Sequence, residues 1–218
     1  MLTLQEQLNA IKSKGAAMMT PEVSAAIKKG FEELQDARLL EKTLKVGESA
    51  PDFRLPNGEG NMIDSGTLRH QGPLVILFYR GKWWPFCNAE LVALRQKYAE
   101  IQALGASLVA ISPQLESYNQ ELVKERRLPF EVLSDSGNQV AHTYRVAFTL
   151  PDSLRWVYKD IFKLDLPTFN GDDSWSLPMP ARFIVDQQAV IHAADVNLDH
   201  TVRPEPDTAI EVLKILKK

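Results

Sequence analysis

The chain has 218 residues, with 25 Lys+Arg against 28 Asp+Glu and a formal charge of −3 at pH 7. Apolar residues make up 44% and charged residues 24%, the balance of a folded soluble chain and not of a disordered one. No basic excess is present to displace counterions from a polynucleotide, so nucleic acid is not an expected partner; nor does any run approach the roughly 20 apolar residues that span a bilayer, so no membrane association is expected.

The first forty-four residues read as a helical extension. Leu4, Leu8 and Ile11 share one helical face, then Thr20-Pro21 offers an N-cap followed by proline at the first helical position, and Val23, Ile27, Phe31 and Leu34 continue the spacing. Helices this short need to bury their apolar stripes elsewhere, on the body of the protein as an amphipathic cover or on a partner chain as a dimerisation arm. Gln5, Glu6, Gln7 and Asn9 interrupt the N-terminus where a signal peptide needs an unbroken apolar run, so the expected location is the cytoplasm.

From Lys45 the pattern changes to alternating strands and helices over 45–218. Turn residues at Ala50–Phe53 and Pro56–Gly58 flank a short strand. Leu74–Tyr79 is a continuous apolar run that predicts a strand buried on both faces. A loop at Arg80–Phe86 leads into a helix carrying Leu91, Leu94, Tyr98 and Ile101. A strand at Leu108–Ile111, a helix at Ser117–Arg127, a short strand at Phe130–Leu133 and a helix around Val140 follow. Phe183–Val185 and Val190–Ala193 predict a hairpin across Asp186–Ala189, and Pro206–Leu216 a closing amphipathic helix. The fold class is α/β, a three-layer sandwich on a mixed sheet. The stretch from Phe148 to Pro180, with Trp156 and Trp175, breaks the alternation; at that length it either has a function or covers a surface.

Cysteine occurs once, at Cys87, which excludes an intrachain disulfide and a thiolate-rich metal site. The four histidines, at 70, 142, 192 and 200, lack ligand spacing, so no metal is expected. Cys87 falls between a buried strand and a helix start, where unpaired N–H groups and the positive end of the helix dipole favour a thiolate, with Arg80 and Lys82 as nearby cations. The alternative is a buried, inert cysteine.

The run Arg80-Gly81-Lys82-Trp83-Trp84-Pro85-Phe86-Cys87-Asn88-Ala89-Glu90-Leu91 resembles the active-site turn of peroxiredoxins of the alkyl hydroperoxide reductase/thiol-specific antioxidant (AhpC/TSA) type. Val46–Phe53, Leu133-Ser134-Asp135 with Val140-Ala141, and Met179–Asp186 resemble further segments of that family, so the resemblance covers residues 45 to 218. It implies a thioredoxin-like fold with a cis-proline at Pro180, facing Cys87. It implies an antioxidant enzyme in which Cys87 is the nucleophile and Glu90 its neighbouring glutamate, with Trp84, Pro85 and Pro180 lining the substrate pocket. Pro180 stands where many such proteins carry a catalytic arginine. Arg182 lies two residues on, read either as a guanidinium aimed at Cys87 or as a solvated strand-edge charge, and Arg203 is a third candidate. Position 84 is Trp where the nearest branch carries the first cysteine of a CxxC pair and most others carry Thr; natural divergence and an engineered replacement both fit. The implied function is reduction of hydrogen peroxide or alkyl hydroperoxides through a Cys87 sulfenic acid. An outside thiol, such as thioredoxin, glutathione or a second protomer in a homodimer, would regenerate it, with no metal, haem or flavin cofactor. The competing reading is a redox-inactive scaffold whose aromatic cluster shields the thiol.

Overall fold

A computed structural model describes residues 2–217. Helix α1 (Leu4–Ala17) begins at a capping box, in which Thr3 Oγ1 accepts from Glu6 N–H and the Glu6 carboxylate accepts from Thr3 N–H. Helix α2 (Pro21–Asp36) begins at the expected Thr20 cap with Pro21 in its first turn. A single turn, α3 (Leu39–Lys42), ends the helical stretch.

Next come β1 (Arg54–Pro56), β2 (Met62–Asp64), α4 (Ser65–Gln71) and β3 (Leu74–Phe78). Then follow α5 (Pro85–Ala103), β4 (Ser107–Ser112), α6 (Glu116–Arg126), β5 (Glu131–Ser134) and α7 (Gln139–Thr143). Strand β1 is the short strand expected between the turns at Ala50–Phe53 and Pro56–Gly58, whereas its partner β2 and helix α4 were not legible, because segments this short carry too little periodicity to read.

The irregular stretch contains β6 (Ala147–Thr149), α8 (Asp152–Trp156) running into a π-helical turn at Val157–Ile161, α9 (Leu166–Asn170) and β7 (Ser176–Pro178). The chain closes with β8 (Ala181–Val185), β9 (Ile191–Val196) and α10 (Pro206–Leu216).

The main sheet has the order β5-β4-β3-β8-β9, with β3, β4 and β5 parallel and β8 and β9 antiparallel. It is the mixed sheet expected. Alternation along β3 divides the core: Leu74, Ile76 and Phe78 face one apolar layer, and Val75 and Leu77 face the other. The second layer is closed by Leu91, Leu94 and Ile101 of α5, Ile210 and Leu213 of α10, and Leu4 and Leu8 of α1. The first is closed by α7, α8 and the irregular stretch, with Leu34 of α2. Helices α1 and α2 therefore cover the body. Gly30 permits this for α2, since a Cβ there would lie 2.4 Å from Leu154 Cγ.

The peptide before Pro180 is trans, which corrects the expected cis-proline. Met179 N–H donates to Val146 O and Pro180 O accepts from Asn197 N–H, so the chain runs on extended from β7 into β8. An extended trans peptide meets both demands.

Candidate active site

Cys87 sits in the first turn of α5, directly after the buried strand that the apolar run predicts. The turn is built by its own sequence. Trp84 takes the N-cap position with Pro85 following, and no side chain caps the helix. Gly81 has φ +152°, and a Cβ there would come within 2.4 Å of Trp83 Nε1. Lys82 N–H donates to Gln114 Oε1 at 2.8 Å, and Asn88 Nδ2 donates to Lys82 O at 2.7 Å. Beneath the loop, Tyr79 Oη donates to Asn119 Oδ1 at 2.6 Å and Asn119 Nδ2 donates to Ser134 Oγ at 2.8 Å. This network ties the ends of β3, β4 and β5 together.

The Cys87 side chain has no exposed surface. Arg203 reaches it, with Nη2 at 3.8 Å from Sγ. The same guanidinium donates from Nε to Glu90 Oε2 at 2.7 Å, and both side chains are 1% exposed. Its Nη1 donates to Val202 O and His200 O, so nearly every donor of the fork is used. Burial pushes the Glu90 carboxyl up from its ordinary value, against the pull of Arg203 and Arg182.

Arg182 is 1% exposed and is therefore not a solvated edge charge. Its register opposite Leu77 puts it on the α5 side of the sheet, but its Nη2 donates to Glu205 O and Thr208 Oγ1 at the start of α10. It makes no hydrogen bond to Cys87. Of the other two cations, Lys82 pairs with Glu121 and Glu125 on α6, and Arg80 donates to Tyr158 Oη at 3.0 Å.

The expected pocket residues divide between two clefts. Pro180 lines one of about 250 Å3 with Glu90, Arg182 and Arg203. Trp84 and Pro85 line another of about 620 Å3. Trp84 is the centre of an aromatic wall, stacked on Tyr158 at 5.8 Å and edge-on to His200 at 5.0 Å, with Trp83, Phe86 and Phe162 around it. Tyr158 lies in the π-helical turn of the irregular stretch and Phe162 directly follows it, so that stretch covers the site. Neither their role nor that of His200 was legible, since all three reach Trp84 from distant segments.

Burial beside Trp84 and Phe86, with the Arg80 and Arg203 charges near, holds the His200 imidazole well below its ordinary value. The unfolded chain then binds a proton near pH 6.5 that the folded chain refuses. Stability from this group is full above about pH 6.5 and falls as pH drops below it, by at most about 1.4 kcal/mol per pH unit. Urea unfolding at pH 7 and pH 5 checks this: His200→Gln is expected to shrink the difference between the two, and an unchanged difference would count against it.

A sequence profile of the AhpC/TSA family matches residues 46–194. The chain is 31% identical over 100 residues to the chloroplastic peroxiredoxin Q of Oryza sativa subsp. japonica, a match covering 46% of each protein. It is 31% identical over 100 residues to the chloroplastic peroxiredoxin Q of Populus jackii, covering 46% of this chain and 46% of that one. The matched stretch thus spans about half the length of these curated relatives. Among solved structures, peroxidoxin BcpB from Mycobacterium tuberculosis superposes with a TM-score of 0.63 at 22% identity, over 80% of this chain and 99% of that one. A yeast mitochondrial 1-Cys peroxiredoxin, described with glutathione/thioredoxin systems that resolve its thiol, gives a TM-score of 0.62 at 16% identity, over 80% of this chain and 76% of that one. These likenesses establish the thioredoxin-like fold expected from the sequence.

Proposed function

The chain belongs to the AhpC/TSA family, and on that premise we propose that it is a thiol-dependent peroxidase with Cys87 as its nucleophile. The observation that carries the reading is the buried Arg203 guanidinium 3.8 Å from a thiol in the first turn of a helix. A cation and a helix N-terminus both stabilise a thiolate, and the guanidinium can also meet the charge growing on a leaving oxygen.

In the reaction, Sγ bonds to one oxygen of the hydroperoxide as the O–O bond breaks. The other oxygen takes up a proton and leaves as water or alcohol. Sulfur is oxidised by two electrons to the sulfenic acid and the peroxide is reduced by two. Arg203 takes the part first assigned to Arg182. Glu90 orients Arg203 through their ion pair, and Arg182 adds charge from behind Glu90. With one cysteine in the chain, the sulfenic acid returns to thiol only by reaction with an outside thiol, for which thioredoxin, glutathione or a second copy of the chain qualifies. A cytoplasmic setting suits a protein that depends on a free thiol. Residues 45–218 carry the catalytic unit, and the helices within 1–44 form its cover.

Position 84 stands one helical turn before Cys87, where a cysteine would supply the local resolving thiol of a CxxC pair. Trp84 supplies none, so the sulfenic acid waits for a partner and is open to further oxidation. The test is intact mass after hydrogen peroxide without reductant. The parent chain is expected to gain one oxygen and then a second, while Trp84→Cys forms a disulfide and resists the second. Removing the indole costs stability on the order of 3–5 kcal/mol, so the variant's fold is checked by thermal melting first.

The scaffold reading draws on the absence of exposed surface at Cys87. It wins if the folded parent chain gains no oxygen and forms no cross-link under the same treatment.

A further inference from the structure

The cleft of about 620 Å3 lies between the helical cover and the aromatic wall, with Gly15 and Phe31 on one side and Trp83, Trp84 and Tyr158 on the other. That volume is in the range of cavities that bury a small organic molecule. Its walls are mostly apolar, but Arg80 and Trp84, which line it, each carry a buried donor, Nε and Nε1, with no acceptor among the described residues. Buried donors left unpaired are rare, because each forfeits the hydrogen bonds it had in water.

Arg80 is the sharpest case. It is 3% exposed, and among the described residues no carboxylate pairs with it. It rests on the Trp84 and Phe148 rings, 5.7 and 5.5 Å from their centroids, and its guanidinium has the Tyr158 hydroxyl as its one hydrogen-bond partner among the described residues. Arg80 makes no hydrogen bond to the Cys87 sulfur, which is met by Arg203. The other charges on the cleft do not compensate Arg80 either. Lys12 pairs with Asp199 at 3.6 Å, and Lys28 pairs with Glu32 at 3.8 Å. A buried cation without a counterion, beside the unpaired Trp84 donor in an apolar cleft, calls for an acceptor-only anionic group on an apolar body.

We propose that this cleft is a binding site for an amphipathic carboxylate of fatty-acid type, with its head group on Arg80 and its hydrocarbon between α1, α2 and the Trp84 wall. The site shares the Trp84 wall with the Cys87 turn, but the binding proposed needs no sulfur chemistry.

Calorimetric titration of the full chain tests the proposal, with dodecanoate below its micellar concentration, dodecanol as the same body without charge, and dodecyltrimethylammonium as the opposite charge. Dodecanoate is expected to bind at least about tenfold more tightly than dodecanol, with the cation weakest. Arg80→Met is expected to bring dodecanoate down to the level of dodecanol and leave dodecanol unchanged. Gly15→Phe narrows the cleft from the opposite wall, where an added Cβ meets only Met19 Cε at 3.9 Å, so it keeps the fold and weakens both ligands. Equal affinities for dodecanoate and dodecanol overturn the proposal, as does the absence of saturable binding. So does dodecanoate binding that ignores Gly15→Phe, which would put the ligand elsewhere even if Arg80→Met failed to fold.

Discussion

Replacing Cys87 with Ser is expected to abolish hydroperoxide reduction, lowering the rate by at least about 10^3-fold, the scale on which loss of a covalent nucleophile acts. The serine hydroxyl is close in size to the thiol but ionises far less readily, so at neutral pH it offers no anion to attack a peroxide oxygen. The fold should survive. The hydroxyl enters a site with no exposed surface, yet Arg203 Nη2 stands ready to donate to it. The cost of burying a new polar group is then about 1–3 kcal/mol at most. Peroxide consumption with a thiol reductant, beside a thermal melt, measures both. Turnover by Cys87→Ser at the parent rate would end the one-cysteine mechanism.

Arg203→Met should act on stability and reactivity together. It leaves the Glu90 carboxylate buried and unpaired, which costs about 3–5 kcal/mol. It also removes the only guanidinium that hydrogen-bonds Cys87 among the described residues, so peroxide should react more slowly with whatever remains folded. The two effects can be pulled apart. Adding Glu90→Gln to Arg203→Met relieves the buried charge, so the double variant is expected to regain much of the lost stability and none of the lost reactivity. Rates that recover along with the melting point would make Arg203 a structural residue only.

The path from Leu74 to Ile101 was legible because two independent signals meet there. The run buried on both faces gives the strand and the helical spacing of Leu91, Leu94 and Ile101 the helix, with a loop between them, although the helix starts at Pro85, two residues inside the expected loop. The hairpin across Asp186–Ala189 and the Thr20-Pro21 helix start were legible for the same reason, since their chemistry is local. What escaped depends on where distant segments travel. Alternation left Arg182 open between a side chain aimed at Cys87 and a solvated edge charge, and nothing local shows that the start of α10 would occupy its guanidinium. The loop that carries Arg203 to Cys87 has no periodicity at all. Tyr158 and Phe162 meet Trp84 only because the irregular stretch folds back over the turn before Cys87. Pro180 shows a limit of another kind: a proline ahead of a strand does not reveal whether the preceding peptide is cis, and here the chain runs on extended.

The sealed position of Cys87 has a kinetic meaning. A sulfur with no surface of its own can meet a dissolved molecule only in the fraction of time that its surroundings part. The observed rate with any electrophile is then an opening equilibrium constant multiplied by the rate of the unsealed thiol, and each 1.4 kcal/mol of opening free energy slows it tenfold. With a single cysteine in the chain, that rate reports one site without ambiguity. Local breathing around Cys87 would therefore set how sensitive the protein is to oxidant, and mild warming would raise that sensitivity more steeply than the chemistry of sulfur alone.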